Sequence, residues 1–154
     1  MTATSRSLLR LIYRSRQTAA TASDLDFAVG QIIRSSIRHN REDNLTGLLI
    51  TIQGVFVQAL EGPSAAVRGA YDRIMHDPRH ADLVLISASE VDKRLFSDWN
   101  MCARVLAPSD KAILDVLDAK GPFDPARLTA DGALRLLTSV ADIQRRTALT
   151  ALTG

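Results

Sequence analysis

Gln58 is the residue whose surroundings ask most of it. It lies in Gly54-Val-Phe-Val-Gln-Ala-Leu-Glu-Gly62, an apolar run that otherwise reads as a buried strand. Side chains alternate between the faces of a strand, so Phe56, Gln58 and Leu60 share one face and Val55, Val57 and Ala59 the other. An amide held between two large apolar neighbours needs partners for two donors and an acceptor. Taken alone, it reads as a core glutamine satisfied by nearby backbone. A second polar group sits in a similar setting: Leu8-Leu-Arg-Leu-Ile-Tyr13 reads as a strand that places Leu9, Leu11 and the phenol of Tyr13 on one face. Other chemistries find less support. His39, His76 and His80 lack a metal-ligand pattern. No Gly-x-Gly-x-x-Gly fingerprint and no cysteine pair is present.

The elements that must position these groups follow from pattern. Ser23 and Asp26 form a capping box, and Leu25, Val29, Ile32, Ile33 and Ser36 then keep helical spacing over 24–39. That helix is expected to end near His39-Asn40, with a polar loop over 41–44. Leu45–Ile52 and Val55–Glu61 flank Gln53-Gly54, a hairpin signal. A second helix opens at Gly62-Pro63-Ser64, carries Val67, Ala70, Tyr71 and Ile74 on one stripe, and stops before Pro78. Leu83–Ala88 reads as a buried strand. Trp99–Val105 reads as another, with Trp99, Met101, Ala103 and Val105 on one face.

The order strand, helix, strand, strand, helix, strand, strand implies an α+β fold: a ferredoxin-like βαββαββ core with two helices on one sheet face. Several strands are apolar on both faces, so the second face needs its own cover. A C-terminal helix pair supplies it, over Ser109–Ala119 and from Asp131 to about Thr150. The second of these carries Leu134, Leu137, Val140 and Ala141 on a stripe that could serve the sheet or a dimer. Residues 1–106 are then the site-bearing unit and 107–154 a helical extension packed on it.

Composition narrows the classes. The chain has 154 residues, 46% hydrophobic and 23% charged, as expected of one globular domain. A net charge of +2 gives no argument for nucleic acid or a membrane surface. The single cysteine, Cys102, excludes an internal disulfide and a cysteine-based zinc cage, and suits a reducing cytoplasm. No apolar run is long enough to span a bilayer. Met1–Arg16 is rich in Ser, Thr and Arg without an acid, the composition of a transit peptide. The strand reading is preferred because it brings Tyr13 inside the fold.

Six strings carry a specific resemblance: Ile12-Tyr-Arg-Ser15, His39-Asn40, Leu45-Thr-Gly-Leu-Leu49, Gly54-Val-Phe-Val-Gln-Ala-Leu-Glu-Gly62, Asp77-Pro-Arg-His80 and Arg94-Leu-Phe-Ser-Asp-Trp-Asn-Met101. Together, in this order, they resemble the BLUF family of flavin-binding blue-light sensors over about residues 8–105. The resemblance implies roles residue by residue. Tyr13 matches the photoactive tyrosine that gives an electron and a proton to the excited flavin. Gln58 matches the glutamine bridging that tyrosine and the flavin. Asn40 matches the asparagine on the flavin's pyrimidine edge; without the family it would read as a helix C-terminal residue. Arg79 and Asp77 match polar contacts at the carbonyl edge. His39 and His80 flank the expected site, Ser15 and Ser36 are expected to pack or bond near Tyr13 and the ring, and Ile32 and Ile33 are expected to pack on the ring.

Trp99 and Met101 match a Trp-x-Met segment that relays the light signal, and both are expected on the face that approaches Gln58. The resemblance implies FAD, with FMN or riboflavin open because the named contacts reach only the ring. It implies a photoreceptor that is not an enzyme. Rotation or tautomerisation of the Gln58 amide would reverse what each neighbour meets and produce a small red shift. With no recognisable output domain, the expected partner is a downstream signalling protein in trans, with a homo-oligomer possible. A flavin-dependent redox enzyme, or an interaction module that has lost photoactivity, is the alternative. An RNA-binding sheet is disfavoured by an aromatic content of 5%.

Overall fold

The first apolar run forms β1, Leu8–Gln17, the strand reading of the N-terminal stretch. It belongs to a computed structural model that describes residues 8–18, 38–52, 54–78, 80–99, 101–106 and 128–153. The hairpin forms as expected from β2, Thr46–Ile52, and β3, Val55–Pro63. Ile52 pairs with Val55, so a two-residue turn joins them, and Gly54 adopts φ 82°, a conformation open to glycine. The helix α1, Ser64–Met75, follows, and then β4, His80–Val91, β5, Cys102–Leu106, and the helix α2, Ala130–Thr153.

The sheet order is β4-β1-β3-β2-β5. Neighbours among the first four are antiparallel, and β5 adds to β2 in parallel. This is the ferredoxin-like arrangement with one added strand. Its two faces are covered separately. Leu9, Leu11, Tyr13, Leu45, Leu49, Phe56 and Leu60 pack with Val67 and Ala70 of α1. Ile12, Leu48, Ile50, Ile52, Val57 and Ala59 pack with Ala133, Leu136, Leu137, Val140 and Ala141 of α2. The α2 stripe therefore serves the sheet. The first helix of the expected C-terminal pair, at 109–119, lies outside the described residues, as does 24–37 of the first expected helix.

Three expectations need correction. Residues 38–43 are helical, so the helix runs past His39-Asn40, and Asn44, at φ 58°, takes the left-handed position that ends it. Asn40 is thus inside the helix. Secondly, β4 is an edge strand and not a buried one: Val84 and Leu85 stand 41% and 47% exposed. A short apolar run cannot itself distinguish a central strand from an edge. Thirdly, β5 begins at Cys102, not at Trp99. The preceding segment is held off the strand path by side chains. The buried Glu61 carboxylate accepts from Leu95 N–H at 2.9 Å, Phe96 N–H at 2.8 Å and Arg10 Nε at 2.7 Å. Arg94 donates to Thr46 Oγ1, the Glu61 carbonyl and the Asn44 carbonyl.

Candidate functional site

Antiparallel pairing puts Tyr13 directly opposite Gln58 across β1 and β3, and Leu49 opposite Gln58 across β3 and β2. Directly opposed residues share a face, so the register alone brings the phenol and the amide together. The Tyr13 hydroxyl donates to Gln58 Oε1. Gln58 Nε2 donates to Met101 Sδ at 3.3 Å. Gln58 is 3% exposed and Tyr13 is likewise buried. A primary amide has two N–H donors, and the contact with sulfur uses one.

Burial pushes the Tyr13 phenol far above its ordinary value, because the phenolate would lose its water; the negative charge of Asp77 and charge repulsion with the ionisable Tyr71 hydroxyl add to the effect. Tyr13 is therefore held neutral, as a proton donor. The Tyr71 ring of α1 lies 5.8 Å from the Tyr13 ring, centroid to centroid. Tyr71 had been expected only as part of an apolar stripe. Its own hydroxyl is also shifted upward by burial.

Ser15 and His80 form a second polar pair on this face. Ser15 Oγ and His80 Nδ1 are 2.7 Å apart, and His80 Nε2 lies 2.6 Å from the Ile74 carbonyl. A carbonyl can only accept, so Nε2 carries a proton and donates to Ile74, leaving Nδ1 to accept from Ser15 in the neutral ring. His80 thus ties β1 to the end of α1, with its ring 6.1 Å from that of Tyr13 and 6.2 Å from that of Phe56.

The remaining expected residues divide. Asn40 is buried, and its carbonyl accepts from Leu45 N–H at 2.7 Å. His39 is exposed. Asp77 follows α1, its amide bonded to the Ile74 carbonyl. Arg79, Ile32, Ile33 and Ser36 lie outside the described residues.

Trp99 and Met101 do not share a face. Met101 joins the Tyr13 face and meets Gln58, whereas Trp99 packs among the residues beneath α2, with the Arg145 guanidinium 5.3 Å from its ring centroid. Alternation fails because Trp99 precedes β5: its carbonyl is taken by Gly47 N–H at 3.1 Å. Gly47 is required here, since a Cβ would stand 2.2 Å from the Ala59 carbonyl oxygen and 3.1 Å from Met101 Cε.

Sequence reasoning also missed the Glu61 anchor. Its one signal was a carboxylate closing an apolar strand. Two buried side-chain oxygens, Thr51 Oγ1 and Gln17 Oε1, have no hydrogen-bond partner. Thr51 faces the same side as Gln58, because it pairs with Phe56. A ligand with polar edges lying on this face would fit these unmet groups and the spare Gln58 donor. Among the described residues, no group of three or more His, Cys, Asp or Glu could hold a metal ion, and no helix is long and apolar enough to cross a membrane.

Comparison with known proteins points to one family. A family model described as BLUF, sensors of blue-light using FAD, matches residues 8–102. The beta subunit of the photoactivated adenylate cyclase of Euglena gracilis is 38% identical over 96 residues, 62% of this chain. The match spans only 11% of that protein. Among solved structures, the dark state of the BLUF protein BlrB is 27% identical with a TM-score of 0.74, covering 90% of this chain and 98% of that one. Klebsiella pneumoniae BlrP1 with FMN and cyclic diGMP is 29% identical with a TM-score of 0.59, covering 75% of this chain and 31% of that one.

Proposed function

The chain belongs to the BLUF family of blue-light sensors using FAD, and from that premise we propose that Tyr13, Gln58 and Met101 are its photoactive hydrogen-bond relay. The observation that carries this reading is the buried chain of contacts from the Tyr13 hydroxyl through the Gln58 amide to Met101 sulfur. A bound flavin supplies light absorption and a strongly oxidising excited state. Tyr13, neutral and buried, gives up an electron and its hydroxyl proton and receives both back. No net chemistry remains, in keeping with a sensor and not an enzyme.

What changes is the Gln58 amide. A tyrosine hydroxyl can donate or accept, so it tolerates either end of the amide. A thioether can only accept weakly, so it tolerates only the N–H end. Turning or tautomerising Gln58 therefore leaves Tyr13 bonded and sets an amide acceptor against Met101 Sδ. Met101 must then move, and a local hydrogen-bond change becomes a change of packing.

FAD is the proposed ligand, with Gln58, Asn40, Asp77 and Arg79 as its polar contacts, and Ile32 and Ile33 on its ring. Ser15 and His80 tie β1 to the end of α1 beside it, Ser36 is proposed to pack or bond near Tyr13 and the ring, and His39 to flank the site. The output is proposed to pass through the 99–105 segment and the C-terminal helices to an effector protein, in the cytoplasm. The test is the absorption spectrum of the FAD-reconstituted chain, dark and then under blue light. A structured flavin band that moves slightly red and recovers in darkness is the expected result. A bound flavin that bleaches or turns over NADH would replace the sensor reading with that of a redox enzyme.

A further inference from the structure

Arg145 of α2 touches the segment before β5 at three places. Its Nη2 donates to the Leu95 carbonyl at 2.5 Å, its Nε pairs with Asp98 Oδ2 at 3.0 Å, and its guanidinium lies against the Trp99 ring. Nη1 returns to Asp142 on its own helix at 3.1 Å, which steadies the fork.

These three contacts fall on two differently held stretches. Residues 94–96 are bolted to β2 and β3 through Glu61 and Arg94. The stretch that follows meets the sheet through Gly47 N–H to the Trp99 carbonyl and through Met101 against Gln58. A displaced Met101 therefore pulls on Trp99 and Asp98 more than on Leu95. A planar guanidinium has fixed donor directions, so it cannot follow two stretches that move apart.

We propose that Arg145 is the positioning residue by which α2 reads the state of Met101. The proposal deepens the relay reading above and rests on it. In the arrangement described, Arg145 spans the fixed and the movable stretch and holds α2 down. When Met101 leaves Gln58, the span is broken and the 140–146 turn of α2 loosens. The apolar stripe that seats α2 borders Trp99 and ends in Val140 and Ala141, so the helix stays docked through Ala133, Leu136 and Leu137 while its C-terminal part gains freedom.

The experiment uses the full chain reconstituted with FAD, as wild type, Arg145→Gln and Asp98→Asn. Two readouts are taken together: the dark–light difference spectrum, and amide hydrogen exchange over 130–146 in darkness and under light. Arg145→Gln is expected to keep the red shift, because it touches nothing on the Gln58 face. Its dark exchange over 140–146 should already be raised by about three- to five-fold, the scale of losing a partly exposed charged contact, with little further change in light. Asp98→Asn should also keep the red shift and should raise the dark exchange over 140–146 by less. A plain packing role for Arg145 would raise exchange equally in both states and leave the light-driven difference intact, and that result overturns the proposal. A wild type that binds FAD without a red shift removes the relay reading, and the role of Arg145 falls with it. A normal red shift with an unchanged light-driven difference in Arg145→Gln removes the Arg145 role alone.

Discussion

The two faces of one sheet do different work with neighbouring residues. Ile12 and Tyr13 are adjacent in β1, and Val57 and Gln58 in β3, yet the first of each pair packs beneath α2 and the second faces α1. Beneath α2 the sheet offers Ile12, Leu48, Ile50, Ile52, Val57 and Ala59, an apolar surface whose polar margin is the buried Glu61 with its partner Arg10. Beneath α1 it buries Tyr13, Ser15 and Gln58, joined to His80 and Met101 by hydrogen bonds. An apolar face has one good packing. A face with an amide that can present either end has a second arrangement available to it, reached at the expense of the Met101 contact. The period-two alternation of strands places both within a single set of residues. It also makes each face separately breakable.

The largest expected effect is on the polar face. Gln58→Leu should retain flavin and lose the light-induced red shift entirely, because leucine has no amide to turn. Tyr13→Phe should do the same by removing the donor hydroxyl. Dark and light spectra of the reconstituted variants decide it, and a full shift in either one removes the assignment of the relay. Gln58→Leu should also cost about 1–3 kcal/mol of stability, since it strands the buried Tyr13 hydroxyl that the amide oxygen accepted.

The next effect concerns the polar margin of the α2 face, where Glu61 follows Val57 and Ala59 along β3. Glu61 is fully buried and holds Arg10 and two backbone amides. Glu61→Ala strands all three donors, and breaking a buried pair from one side costs about 3–5 kcal/mol. Urea unfolding should show a lower midpoint with little change in slope. A loss below about 1 kcal/mol would mean that water replaces the carboxylate, and that the 94–96 stretch is not bolted as described.

The apolar face should respond in stability without responding in colour. Leu136 of α2 is fully buried against the sheet. Leu136→Ala leaves a cavity and should cost about 2–5 kcal/mol. Its dark spectrum and the size of its red shift should match the wild type, because no residue of the Gln58 face is altered. A changed shift would show that the two faces are coupled through the strands themselves, and the contrast drawn above would weaken.

The difference between the faces also sets what the sequence discloses. Strand alternation is local, so the placement of Phe56, Gln58 and Leu60 together, and of Tyr13 with Leu9 and Leu11, could be read before any coordinates. The pairing of Tyr13 with Gln58 depends on register across 45 residues of chain, and only the family resemblance supplied it. The separation of Trp99 from Met101 was not legible. A Trp-x-Met spacing implies one face only if the residues lie in a strand, and Trp99, whose carbonyl is held by Gly47 far earlier in the chain, stands before β5 begins at Cys102. The same holds for Asn40: one additional turn of helix, ended by Asn44, moves it from a cap to a buried interior position. Long-range polar contacts fixed these details, and periodicity does not report them.

The smallest effect tests whether the polar face is as dry as it looks. Burial, with Asp77 and Tyr71 in addition, holds the folded Tyr13 phenol well above its ordinary value near 10. Below that value both folded and unfolded chains carry the proton, so Tyr13 adds no pH dependence and the red shift should keep a constant size through neutral and mildly alkaline pH. Above it the unfolded chain loses the proton while the folded one keeps it, and stability falls as pH rises. One pH unit past the unfolded value corresponds to about 1.4 kcal/mol. Tyr13→Phe lacks the group and should lose correspondingly less between pH 9 and pH 11. Urea midpoints of the two proteins across this range give the comparison directly. Parallel curves would mean that the phenol ionises as readily in the fold as outside it. Water would then reach Tyr13, and the polar face would differ from the apolar one in composition but not in dryness.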